Sequence, residues 1–378
     1  MSSSNASSPL LEAFIKRSRS IVLAGAVLIL ALSWGLLQYA LSDKTPRSLG
    51  SPLPTSPSSA AGEVAGSSST PFLPRFLDGV DVSPTGTNLQ VYGVMVENSP
   101  EARPLSGPAR ANVVLESPVE GGITRFLLLF DAQSTVDQIG PVRSARPYFV
   151  DWAEAVQAVY AHVGGSPEAL QRITASANIR NLDEFFLARY FWRSSKRSAP
   201  HNTYTRMDLL RSSQAAKQGV TSVFKPWSYA ASEAASSTPE TAVSSVSIPY
   251  GGPFNVTWVY DSLQKTYMRR QADQLELDAD GMVVTATNVV VMATDMRAVD
   301  QVGRLHVRTT GTGKAWVYRN GQRFEGVWSR QPGQWLSFEQ SDGRPISFAP
   351  GKTWISVIAA SSMTPMEVLS THSSEKTL

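Results

Sequence analysis

EGGITRFLLLFDAQSTVDQIGPVRSARPY, Glu120 to Tyr148, decides how the chain is read. A Gly-Gly corner precedes an apolar run, Ile123 to Phe130, that reads as a buried strand. A turn-rich loop follows and ends on Arg143 and Arg146, just before Pro147. The residue before a proline is held out of the α region, so Arg146 is extended. Pro147 itself suits the first turn of a helix. Strand, loop and helix start make one step of an α/β pattern.

The neighbouring segments continue that pattern. Leu89 to Glu97 and Ala111 to Ser117 read as two more strands, joined by the turn-rich NSPEARPLSGPAR. Phe149, Ala153, Val156 and Tyr160 recur at helical spacing, but the run near AVYAHV itself resembles a strand, which would stop the helix near Gln157. Gly164 and Gly165 open a second helix, with Ser166 as N-cap and Pro167 in the first turn. We therefore place an α/β domain at residues 76–230. Residues 231–247 have the Ser/Ala-rich composition of a linker. Residues 248–365 hold short β-branched and aromatic runs separated by turns, Arg319-Asn320-Gly321-Gln322 being the strongest hairpin signal. They read as an all-β domain, a barrel or sandwich. Residues 366–378 read as a loose polar tail.

At the other end, Ile21 to Leu41 is 21 residues without a charge. As a helix it would be about 31 Å long, enough to cross a bilayer. Lys16, Arg17 and Arg19 precede it, which orients residues 1–20 to the cytoplasm and the folded parts outside. A cleaved signal peptide is the competing reading, against which stand the length of the run and the poor cleavage site at Gln38-Tyr39-Ala40. Residues 42–75, rich in Ser, Pro and Gly, read as a disordered stalk.

Composition narrows the function. The formal charge of +3 on 378 residues is too small for a nucleic-acid binder, and export disfavours one further. The absence of cysteine excludes disulfides, thiolate metal sites and a cysteine nucleophile. Four histidines at no zinc spacing argue against a metal. Gly311-Thr312-Gly313-Lys314 lacks the remainder of a phosphate-binding loop, and we expect no cofactor.

The chemistry-bearing candidates are Arg125, Arg143, Arg146, His162, His201, Asn202, Glu97 and Glu120. Guanidinium groups suit bidentate contact with phosphate or carboxylate, and a loop between a sheet and a helix start is where α/β proteins hold anions. The alternative is that each arginine pairs with a buried acid such as Glu97, Glu116 or Glu120. His162 and His201 are the groups that titrate near neutral pH, and Asn202 could orient His201; both histidines could equally be structural. Trp258, Trp316, Trp328, Trp335 and Trp354 could stack on a glycan, though at strand spacing they read as core.

A set of ordered motifs carries a resemblance. They are Glu97-Asn98, Ala102-Arg103-Pro104, the run from Glu120 to Phe126, Ile139 to Arg146, His162 to Ser166 and Ala199 to Tyr204. Tyr267 to Arg270, Asn288 to Val291, Gly326-Val327-Trp328 and Pro350 to Ile355 extend the set. Over residues 76–360 the chain resembles the YerB-like family of bacterial envelope proteins, a domain of unknown function (3048) with N- and C-terminal parts. Many members look like lipoproteins; this sequence departs from them in having a long apolar helix and no lipid-bearing cysteine.

The residues and the resemblance lead to one main expectation. It is a membrane-anchored extracytoplasmic binding or scaffold protein with a basic cleft for an anionic envelope lipid or glycan. An enzyme on such a ligand is the alternative, loosely like the LytR-CpsA-Psr phosphotransferases in layout but without their Pro-Arg-Asp-type motif. A protein-interaction module for a membrane machine is the third.

Overall fold

Alternate residues of the central strands sort onto two different apolar cores, and this sets the architecture. The computed structural model describes residues 72–217, 221–230, 241–361 and 364–369. Strands β1 (Val91–Glu97), β2 (Val113–Pro118) and β3 (Thr124–Asp131) are buried along their whole length. Val94, Val96, Val114, Phe126, Leu128 and Phe130 face one core; Met95, Val113, Leu115, Leu127 and Leu129 face the other. A strand apolar on both faces must be covered on both, because its side chains alternate.

One cover is helical. Helix α1 (Pro147–Ala155) buries Phe149 and Trp152, and α2 (Pro167–Ala175) packs beside it with Ala169 and Ile173. Arg146 is extended (φ −130°, ψ 152°), as its place before proline requires. The Ser166 hydroxyl accepts from Ala169 N at 3.4 Å. Strand β4 (Val159–His162) follows α1, and β5 (Arg180–Asp183) follows α2; both run parallel to β1. The other cover is largely irregular. It comprises the four-residue helix α3 (Glu184–Leu187), the small hairpin of β6 (Trp192–Arg193) and β7 (Thr203–Tyr204), and α4 (Met207–Ser212). The α/β expectation thus holds with few helices: only α1 and α2 reach nine residues among those described.

The second half supplies β8 (Thr241–Ile248), β9 (Val256–Asp261), β10 (Thr266–Gln271), β11 (Asn288–Thr294), β12 (Gly311–Arg319), β13 (Gln322–Arg330) and β14 (Thr353–Ala359). They do not close into a barrel of their own. One path of pairing runs β10-β9-β8-β13-β12-β11-β14-β2-β3-β1-β4-β5, and the junction is the parallel pairing of β14 with β2, Thr353 opposite Val113 through Ser356 opposite Glu116. The sheet bends so that β10 faces β2 and β14: the Arg269 guanidinium lies 4.7 Å from the Trp354 ring and bonds both Glu116 oxygens at 3.0 and 2.9 Å.

Two boundaries shift. Residues 241–247, given to the linker by composition, belong to β8, where Val243, Val246 and Ile248 are buried beneath the serines. Met366–Leu369, given to the tail, pairs with β8. Low complexity hid the apolar spacing in the first case, and pairing with β8 ordered the short Met-Glu-Val-Leu segment in the second. Ile21–Leu41, the stalk up to residue 71 and residues 231–240 lie outside the described residues. Among those described, no helix is long and apolar enough to cross a membrane. The five tryptophans named above are core residues, each exposed by 7% or less.

Candidate functional site

Glu97, His162 and Asp183 end the parallel strands β1, β4 and β5, so their side chains collect at one edge of the sheet. Arg125, near the start of the antiparallel β3, sits opposite Glu97 at that same edge. The carboxyl ends of parallel strands are where open α/β sheets receive ligands. The loop 139–146 crosses this edge and is pinned from both sides. Arg143 N donates to Met95 O (2.9 Å) and accepts, through its carbonyl, from Val163 N (3.1 Å); Val142 N donates to Thr203 O (2.7 Å).

Glu97 is the centre of the cluster. It is almost wholly buried, and its Oε2 accepts from Ser99 Oγ (2.8 Å) and His201 Nδ1 (2.9 Å), with Arg143 Nε at 3.3 Å. Its Oε1 is buried without a hydrogen-bond partner among the described residues. The carboxylate fixes the His201 ring through Nδ1. Nε2 of His201 and the terminal nitrogens of Arg143 have no partner among the described residues, and both side chains are partly exposed.

Arg125 lies beside them. It is 7% exposed, Nη1 donates to Ser144 O at 2.6 Å, Nε has no partner, and no ion pair to a carboxylate forms among the described residues. Burial, and then the charges of Arg146 and Arg143, push its pKa down to about 10, so it remains a cation at neutral pH. Arg146 is committed elsewhere: Nε and Nη2 clasp Glu120 Oε1 and Oε2 at 2.6 and 2.8 Å. Partial burial raises the Glu120 pKa, but the Arg146 clasp outweighs it and holds the group below the usual carboxylate range. This is the carboxylate alternative that the sequence left open: Arg146 and Glu120 neutralise each other. Among the described residues, Arg125, Arg143 and Arg146 face Glu97 and Glu120 alone, one guanidinium more than the carboxylates.

Residues 78–221 match the N-terminal domain, and residues 246–355 the C-terminal domain, of a family described as "Protein of unknown function (DUF3048)". The chain belongs to this family. A relative, "Putative lipoprotein YerB" of Bacillus subtilis (strain 168), is 31% identical over 289 residues, 75% of this chain and 85% of that protein. The crystal structure of YerB from Bacillus subtilis matches with a TM-score of 0.69 at 27% identity, covering 78% of this chain and 99% of that one.

Within this DUF3048 fold the sequence candidates separate. Glu97, Arg143, His201 and Arg125 come together. His162 does not join them; it is fully buried, with Nδ1 donating to Gly164 O (2.8 Å) and Nε2 facing the Asn181 amide oxygen (2.8 Å), the structural role foreseen as its alternative. Asn202 does not orient His201. Its Oδ1 accepts from Arg193 (3.3 Å) and its Nδ2 donates to Ser194 O (3.4 Å), so it closes the β6–β7 loop. Ser99 was missed by the sequence reading. A serine two residues after a strand end carries no signal until its hydroxyl is seen on Glu97. Asn181 was missed likewise, since only the parallel pairing of β4 and β5 brings it to His162.

Proposed function

We propose that the protein is a membrane-anchored extracytoplasmic binding protein of the bacterial envelope. It would take a phosphate- or carboxylate-bearing lipid or glycan at the Arg125–Arg143–His201 edge, with Ile21–Leu41 as its membrane attachment. The lipoprotein name of the relative supports an envelope location. The observation that carries the ligand reading is Arg125, a buried cation with no carboxylate partner among the described residues, next to Arg143, whose terminal nitrogens have none there either. A buried charge is costly unless paired, and an anionic ligand would supply the pairing. The test is native mass spectrometry of the detergent-extracted full chain, with a parallel titration of inorganic pyrophosphate. An anionic adduct on the wild type that is lost in Arg143→Ala and Arg125→Met is the expected result. If the wild type carries no anionic adduct and does not bind pyrophosphate, or if both variants keep what the wild type holds, the reading fails.

One observation favours a second reading, an enzyme acting on that ligand. A histidine fixed by a buried carboxylate through Nδ1, with Nε2 open, is the arrangement of a general acid or base. His201→Gln separates the two. It should keep the adduct in either case, but abolish hydrolysis of a phosphate-ester panel only if the site is catalytic.

A further inference from the structure

The segment from Phe185 to Met207 contains Arg189, Arg193, Lys196, Arg197 and Arg206, and not one acid. Its first two residues, Phe185 and Phe186, are 67% and 84% exposed. Adjacent phenylalanines this exposed on a folded surface call for an explanation, because monomers seldom present large contiguous apolar patches to water. The two features are joined by an ion pair. The phenylalanines lie in α3, whose Glu184 is bound by Arg193 at 3.0 Å, tying the basic β6–β7 hairpin to the aromatic pair. The Trp192 and Tyr204 rings stack at 6.0 Å and stiffen the hairpin. The nearby acids are engaged or few: Glu184 by Arg193, Asp208 by Arg206 at 2.9 Å, Glu97 by His201 at 2.9 Å and Asp183 by the amides of Gly164 and Phe185, while Glu101 is exposed. Arg197 grips the backbone carbonyls of Glu101 and Pro104 (2.9 and 3.0 Å). Arg189, Lys196 and Arg197 have no carboxylate partner among the described residues.

We propose that this surface, α3 with the β6–β7 hairpin, docks onto an anionic lipid bilayer. Phe185 and Phe186 enter the apolar boundary while Arg189 and Lys196 contact the lipid phosphates. The charge complementarity selects a bilayer over a protein groove. Cations spread along the hairpin beside two apolar rings match a plane of phosphates above hydrocarbon, the pairing that holds peripheral segments at anionic membranes. The inference rests on groups other than Arg125, Arg143 and His201, although His201 lies on the same hairpin.

The chain has no native cysteine, so one introduced thiol labels uniquely. The full-length Phe186→Cys protein, carrying an environment-sensitive fluorophore, is reconstituted into vesicles of phosphatidylcholine with or without phosphatidylglycerol, each containing nitroxide-labelled lipid. Quenching and a blue shift in the anionic vesicles, weakened by salt, support the proposal. So does loss of that quenching when Arg189→Ser and Lys196→Ser are added. Leu263→Cys, 91% exposed in the β9–β10 turn, serves as the control and should remain unquenched. Equal quenching in zwitterionic vesicles overturns the proposal, as does quenching of the Leu263 probe to the same degree. A probe shielded but unquenched would mark a protein partner and overturn it too. Arg143→Ala should leave the docking unchanged even where it abolishes pyrophosphate binding.

Discussion

A single oxygen, Glu97 Oε2, organises Ser99, His201 and Arg143. Replacing the carboxylate by an amide of the same shape keeps the volume and removes the charge that all three groups address. Glu97→Gln should therefore lower unfolding stability by about 1.5–3 kcal/mol, the range for buried hydrogen bonds to a charged group, read as a shifted urea midpoint at unchanged slope. Arg146→Ala tests the neighbouring clasp by pH. The Glu120 pKa is lowered in the folded protein, so its contribution is present above the unfolded value and is lost as pH falls through the folded one. The wild type should lose stability between neutral pH and pH ~3 more steeply than Arg146→Ala, because the variant lacks the depressed carboxylate. The clasp is only partly buried and its net contribution is modest, so the slope and not the absolute stability is the informative reading. At this scale the residue types were legible in the sequence, down to Glu97 and Glu120 as possible partners. Which arginine took which acid was not, because that depends on where a loop crosses a sheet edge.

Among the elements, the turn after β4 is the most constrained. Gly164 has φ +55°, a left-handed conformation, and a Cβ there would come within 2.6 Å of the Phe185 ring. Its amide donates to Asp183 Oδ1 at 2.9 Å and its carbonyl accepts from Ala145 N at 2.9 Å, so the turn joins β4, β5 and the arginine loop. Gly164→Ala should cost about 1–2 kcal/mol from the backbone alone, with displacement of Phe185 added, measurable by chemical denaturation and by loss of hydrogen-exchange protection at Ala145 N. Proline and glycine punctuation marked this region well: α1 ends at Ala155, close to the expected Gln157, and α2 starts at Pro167 behind its Ser166 cap. The strand of residues 241–248 was hidden because serines occupy its outward positions, and composition outweighed the buried spacing of Val243, Val246 and Ile248.

Across the whole molecule, the Glu116–Arg269 pair links the two halves inside a shell of Phe126, Trp258 and Trp354, with both side chains fully buried. Trp354 Nε1 and Thr124 Oγ1 complete the carboxylate's bonds at 3.0 and 2.9 Å, and Glu276 adds a second carboxylate to Arg269. Removing one partner of such a pair strands a buried charge, so Arg269→Ala should cost about 3–5 kcal/mol in equilibrium unfolding. Because β14 pairs with β2, unfolding of the two halves is also expected to coincide. Tryptophan fluorescence and far-UV circular dichroism should report one shared transition, and two separated midpoints would contradict this. The amino-acid sequence by itself determined β1 to β3 and most strands of the second half, α1 and α2, the extended Arg146 and the candidate charges, since each follows from local periodicity, capping or a proline's sterics. The tertiary structure alone decided that one path of strand pairing runs through both halves. It also decided that Arg269 meets Glu116, that Arg146 is paired with Glu120, and that Arg125 has no carboxylate partner among the described residues. Those outcomes depend on which distant strands lie side by side, and no local preference of the chain encodes that.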